Sequence, residues 1–108
     1  MRGLRLKARN GAGDMVLSVE GEIDFATAPE LEAALEGALE PGRTRLIVDL
    51  RRVTFMDSTG LVLLHRHDRT AAAAGQRLIV IKGPPHVQRV FEVTGLSDRL
   101  TMLDEPSG

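Results

Sequence analysis

Leu4-Arg5-Leu6-Lys7-Ala8 alternates apolar and polar residues, the period of a strand with one face against a core. Met15-Val16-Leu17-Ser18-Val19 follows after the turn-rich Asn10-Gly11-Ala12-Gly13-Asp14, so the two segments read as an antiparallel hairpin. Gly21-Glu22-Ile23-Asp24 then leads to Thr27, placed to cap a helix with Pro29 in its first turn and Glu30 completing a capping box. Leu31, Ala34, Leu35, Ala38 and Leu39 recur at helical spacing, and Pro41-Gly42 stops the helix.

Arg45-Leu46-Ile47-Val48-Asp49-Leu50 has few polar interruptions, as expected of a central strand covered on both faces. From Ser58 the pattern turns helical through Leu61, Val62, Leu64 and Ala71 to Ala74, and Gly75 suits the left-handed position after a helix end. Leu78-Ile79-Val80-Ile81 predicts a second buried strand. Pro84-Pro85 opens a third helix with Val87, Val90, Phe91 and Thr94 inward, Gly95 ends it, and Leu100-Thr101-Met102-Leu103 forms a short edge strand or tail element. Strands alternating with helices call for right-handed crossovers and a sheet with mostly parallel central strands. No internal repeat, low-complexity tract or linker interrupts the chain.

The length, 108 residues, suits one domain with its own core, about residues 4–103, with Met1-Arg2-Gly3 and Glu105-Pro106-Ser107-Gly108 as loose ends. A formal net charge of −1 and only three aromatic residues, Phe25, Phe55 and Phe91, argue against nucleic-acid binding: neither a basic field nor a stacking platform is present. The absence of cysteine excludes disulfides and thiol catalysis and fits a reducing compartment. Leu61-Val62-Leu63-Leu64, an apolar run that no other exceeds, is far short of a membrane span, and the basic N-terminal segment has no apolar stretch behind it, so a cytoplasmic protein with no membrane contact is expected.

Val53-Thr54-Phe55-Met56-Asp57-Ser58-Thr59-Gly60-Leu61 sets a serine between a strand pattern and a helix pattern. A hydroxyl at a helix start serves either as a cap or as the acceptor of a transferable phosphate, which unpaired N–H groups at Thr59, Gly60 and Leu61 would partly satisfy. Gly60 either admits a partner backbone or loosens the first turn; Asp24 either positions an incoming group at Ser58 or serves as a turn or cap residue before Thr27.

No metal site and no cofactor are expected. His65 and His67, two apart on a helix, diverge, and only His65 with Asp68 or Arg69 are neighbours. His86, after two prolines, reads as a surface residue, and Arg51, Arg52, Arg66 and Arg69 either line an acidic partner or are solvated. Ser58 lacks the surroundings of a nucleophile elbow, and no phosphate-cradling loop or Walker lysine is present, so the chain reads as the substrate of an enzyme rather than an enzyme.

The chain resembles the STAS domains, and within them the bacterial anti-sigma factor antagonists. The resemblance runs through Val19-Glu20-Gly21-Glu22-Ile23-Asp24, Ala28-Pro29-Glu30-Leu31, Leu46-Ile47-Val48-Asp49-Leu50, the Asp57-Ser58-Thr59-Gly60-Leu61 segment, Ala74-Gly75-Gln76-Arg77-Leu78 and Val90-Phe91-Glu92-Val93-Thr94-Gly95-Leu96. It implies a STAS-like α/β single domain over residues 1–108: a small mixed sheet with an N-terminal antiparallel hairpin and parallel central strands, packed with about three to four helices. It also implies a protein switch. The unphosphorylated form binds a kinase-type anti-sigma factor and so frees a sigma factor; the kinase phosphorylates a hydroxyl in the Asp-Ser motif to end the interaction, and a PP2C-type phosphatase reverses this. Carried over, the acceptor is Ser58, with Thr59 as second candidate where many members have a serine. The partner surface comprises Asp24, Asp57, Ser58, Thr59, Gly60 and Leu61, on a monomer or weak dimer. The alternative is a non-phosphorylated STAS scaffold subunit of a stress-signalling or lipid-transport assembly.

Overall fold

A computed structural model of the chain describes residues 3–11, 13–39 and 42–104. Five strands and three α-helices alternate along it: β1 (Leu4–Asn10), β2 (Asp14–Ile23), α1 (Ala28–Ala38), β3 (Arg45–Met56), α2 (Ser58–Ala73), β4 (Arg77–Ile81), α3 (Pro85–Thr94) and β5 (Thr101–Leu103), with a short 3-10 turn at Leu96–Asp98. Ala12 of the first turn, the helix stop at Pro41 and the loose ends Met1-Arg2 and 105–108 lie outside the described residues.

The sheet order is β1-β2-β3-β4-β5. β1 and β2 form the expected antiparallel hairpin, with Leu6 opposite Val19, and the remaining neighbours are parallel. Because this order never reverses, right-handed crossovers carry every helix to the same side of the sheet. That side holds the core: Leu17 and Val19 of β2, Leu46, Val48 and Leu50 of β3, and Leu78 and Val80 of β4 join Leu31, Leu35, Leu61, Leu64, Val87 and Phe91 of the helices in one cluster. Burying each such side chain contributes about 1.5–3 kcal/mol before the entropy of ordering is subtracted.

This topology corrects the expectation that β3 is covered on both faces. Leu46, Val48 and Leu50 are buried, whereas Arg45, Ile47 and Asp49 between them are only half-buried on the uncovered face. There Arg45 donates through Nε and Nη2 to the two carboxylate oxygens of Asp14, at 3.0 and 2.6 Å. β3 also runs six residues past Leu50, so Val53 to Met56 belong to a strand, and Gly21-Glu22-Ile23 is a strand end rather than a loop. Thr94, expected inward, is exposed, and its hydroxyl bonds back to the Val90 and Phe91 carbonyl oxygens. Gly75 and Gly95 both adopt φ +75°, the left-handed conformation that ends a helix without a Cβ penalty.

Candidate functional site

The parallel pairing of Glu22 with Phe55 and Ile23 with Met56 brings the ends of β2 and β3 side by side. The Asp57 N–H donates to the Ile23 carbonyl oxygen at 3.2 Å, one contact beyond the ladder. Two loops therefore emerge together at the carboxyl ends of parallel strands, where open α/β sheets build their ligand sites. Asp24 and Phe25 come from one loop, Asp57 and Ser58 from the other.

At the second loop the capping role falls on Asp57, not on Ser58. Asp57 keeps extended backbone (φ −109°, ψ −173°) and its carboxylate accepts the Thr59 N–H at 2.9 Å. Its carbonyl oxygen accepts the Gly60 N–H at 3.2 Å. Thr59 and Gly60 thus do not offer the unpaired N–H groups expected for a phosphate. Ser58 is the first helical residue, is exposed, and its hydroxyl has no hydrogen-bond partner among the described residues. The hydroxyl is structurally idle.

Gly60 and Leu61 face inward. A Cβ at Gly60 would stand 2.6 Å from Ile23 Cγ2 and 2.9 Å from Met56 Cγ, so glycine lets the first turn of α2 sit directly on the two strand ends. Leu61 is buried in the core. Both therefore support the surface from beneath, and the close approach that Gly60 permits is to Ile23 and Met56 of its own chain.

Asp24 is occupied by its own loop. Its carboxylate accepts the Thr27 N–H at 3.0 Å, the Thr27 hydroxyl oxygen accepts the Asp24 N–H at 3.0 Å, and that hydroxyl donates to the Glu22 carbonyl oxygen at 2.8 Å. This is a reciprocal box one turn earlier than the expected Thr27–Glu30 pair, and Thr27 makes no cap bond into α1. Asp24 thus closes the turn that leads into α1.

Two large apolar side chains stand exposed near Ser58. Phe25 is 84% exposed and Val62 58% exposed, and with Ala28, Pro29, Ser58 and Arg66 they line an open cleft of about 450 Å³ between α1 and α2. Together they give the cleft beside Ser58 an exposed apolar rim. The sequence reading missed both. Val62 stands one turn after Ser58 on the same helical face, which the 3.6 period could have shown; Phe25 sits in a turn, where periodicity carries no signal.

Arg66, also on that face, pairs with Glu32 of α1. Arg51 and Arg52 pair with Asp49 and Glu20. His86 is exposed, as expected, with Nε2 2.6 Å from the Thr54 carbonyl oxygen. His65 and His67 do diverge: His67 is buried, and His65 is half-buried near Asp68, whose carboxyl burial raises above its ordinary value against the opposing pull of His65.

The sequence profile of the family described as "Mlab, STAS domain" matches residues 7–104. The anti-sigma-B factor antagonist of Staphylococcus aureus (strain NCTC 8325 / PS 47) is 35% identical over 82 residues, 76% of this chain and 76% of that protein. A crystal structure of an anti-sigma factor antagonist from Mycobacterium paratuberculosis superposes with TM-score 0.87 at 28% identity, covering 95% of this chain and 87% of that one. The anti-sigma factor antagonist SpoIIAA in its unphosphorylated form superposes with TM-score 0.77 at 25% identity, covering 94% and 90%.

Proposed function

The chain belongs to the STAS-domain family of anti-sigma factor antagonists, and from that premise we propose that it is a cytoplasmic switch whose unphosphorylated form binds a kinase-type anti-sigma factor, releases a sigma factor, and is turned off by phosphorylation of Ser58. The observation that carries this reading is the exposed Ser58 hydroxyl, relieved of capping by Asp57 and set in a cleft beside the exposed Phe25 and Val62. A side chain with no structural duty at a surface with an apolar rim is suited to be read by a partner and altered by an enzyme.

The chemistry follows from charge. A phosphate on Ser58 adds about −1.5 to −2 charges next to the Asp57 carboxylate. Two like charges about 6 Å apart at an effective dielectric near 20 repel by about 3 kcal/mol, equivalent to about a hundredfold in affinity if a partner must bury them together. The Asp57–Thr59 cap survives the modification, so the fold stays while the partner surface loses its fit. Thr59, half-buried, is the poorer acceptor. A PP2C-type phosphatase resets the switch. In this reading the chain is a substrate and a binding module, and it needs no cofactor.

The test is to incubate the chain with a kinase-type anti-sigma factor and ATP and follow intact mass. Wild type gains one phosphate and Ser58→Ala gains none; phosphate uptake by Ser58→Ala at the wild-type rate sinks the assignment. A second reading, which membership of the STAS-domain family equally allows, is a fixed scaffold subunit of a larger assembly. A permanent partner that survives gel filtration, with no phosphate gained, is the outcome that supports it.

A further inference from the structure

Glu32 and Glu36 are four residues apart on α1 and share a face, and His67 of α2 meets them from the opposite helix. Each offers one ligand atom, and the three atoms lie within 4.8 Å of one another. His67 is 5% exposed. Its Nδ1 stands 2.9 Å from the Leu63 carbonyl oxygen, which can only accept, so the neutral ring carries its proton there and presents the Nε2 lone pair. Among the described residues, no hydrogen bond or ion pair joins the ring to either glutamate. The imidazole and the two carboxylates thus converge without bonding one another. A cation held between the imidazole and the two carboxylates would engage all three, which no direct bond among them does.

We propose that Glu32, Glu36 and His67 bind a divalent transition metal of the zinc class, bridging α1 and α2. One imidazole and two carboxylates suit zinc or cobalt rather than magnesium or calcium, which favour all-oxygen shells. The Leu63 carbonyl is the outer partner that fixes the ring for coordination. Glu36 lies at the exposed end, so water completes the shell there. The ligands sit in two helices and are far apart in sequence, which is why the spacing of His65, His67 and Asp68 pointed away from a metal. Glu32 also holds Arg66 beside the Ser58 cleft, so metal capture of Glu32 releases that guanidinium toward the cleft. Only this last consequence rests on the phosphoacceptor reading of Ser58.

The test uses the unphosphorylated full chain after chelator treatment, titrated with Zn²⁺ by calorimetry and with Co²⁺ by visible absorption. The expected result is one ion per chain, an intense Co²⁺ band of low coordination number, and a thermal midpoint raised by Zn²⁺. Glu36→Gln, at an exposed position that leaves the fold intact, should weaken binding by about tenfold or more, as should Glu32→Gln, while His65→Ala should leave it unchanged. No binding, or affinity undiminished in both glutamate variants, overturns the proposal. So does a wild-type chain in which His67 carries a second proton at neutral pH and takes up no metal, a state that proton NMR of the imidazole distinguishes.

Discussion

The Ile23 carbonyl oxygen accepts the Asp57 N–H at 3.2 Å, and this one bond fixes the two loops of the site relative to each other. It extends the β2–β3 ladder past its last pair, so Asp57 arrives at the helix start in extended backbone. That conformation turns its carboxylate onto the Thr59 N–H and leaves Ser58 outside. The exposed hydroxyl is a consequence of strand pairing.

Removing the cap should therefore cost stability at Asp57 and not at Ser58. Asp57→Ala is expected to lower the unfolding free energy by about 1 kcal/mol, with Asp57→Asn retaining most of it. Ser58→Ala should cost less than about 0.5 kcal/mol. Urea denaturation of the three variants measures this, and equal losses at the two positions would show that Ser58 shares the cap.

Gly60→Ala should destabilise despite the better helix propensity of alanine. Propensity favours the change by about 1 kcal/mol, but the new methyl would stand 2.6 Å from Ile23 Cγ2, a branch atom next to the backbone that cannot swing away. Overpacking of this kind costs about 1–3 kcal/mol, so the net effect is a lower thermal midpoint. A variant as stable as wild type would mean that α2 lifts freely off the strand ends.

Phe25→Ala and Val62→Ala should leave stability within about 0.5 kcal/mol of wild type, because both side chains already sit in water. If the Ser58 cleft is the docking surface, each should weaken the anti-sigma factor complex by about tenfold or more, mainly through faster dissociation. Surface plasmon resonance with the partner immobilised reads both rates. Unchanged rates in both variants would move the docking surface elsewhere.

The Asp14–Arg45 pair on the uncovered sheet face gives a pH signature. The Arg45 hydrogen bonds outweigh the opposing effect of burial, and with its charge they hold the Asp14 carboxyl below its ordinary value of 3.8. A carboxyl depressed in the folded state contributes stability above its unfolded value and loses it as pH falls through the folded one. The stability difference between wild type and Asp14→Asn should therefore be constant above about pH 5 and shrink below pH 3.8. Urea titrations at pH 7 and pH 3 test it, and a difference that grows on acidification contradicts the pairing.

The order of elements, the hairpin and the left-handed helix ends at Gly75 and Gly95 were legible in the sequence because they rest on short-range physics. Alternating Leu4-Arg5-Leu6 permits one strand face, and glycine after a helical run permits a positive φ, whatever the rest of the chain does. Other features depended on which segments meet. Asp57 took the cap from Ser58 because β3 runs on to Met56 and pairs to its end with β2. β3 kept one uncovered face because an unreversed strand order sends every crossover to the same side. Gly60 and Leu61 went under the surface and Phe25 and Val62 stayed on it because α2 is seated on Ile23 and Met56. Glu32, Glu36 and His67 converge only where α1 packs on α2. Sequence by itself determined which local structures each segment can form and offered Ser58 as a candidate. Only tertiary packing, by deciding which backbone groups are already bonded and which side chains reach water, left that hydroxyl exposed and outside the cap.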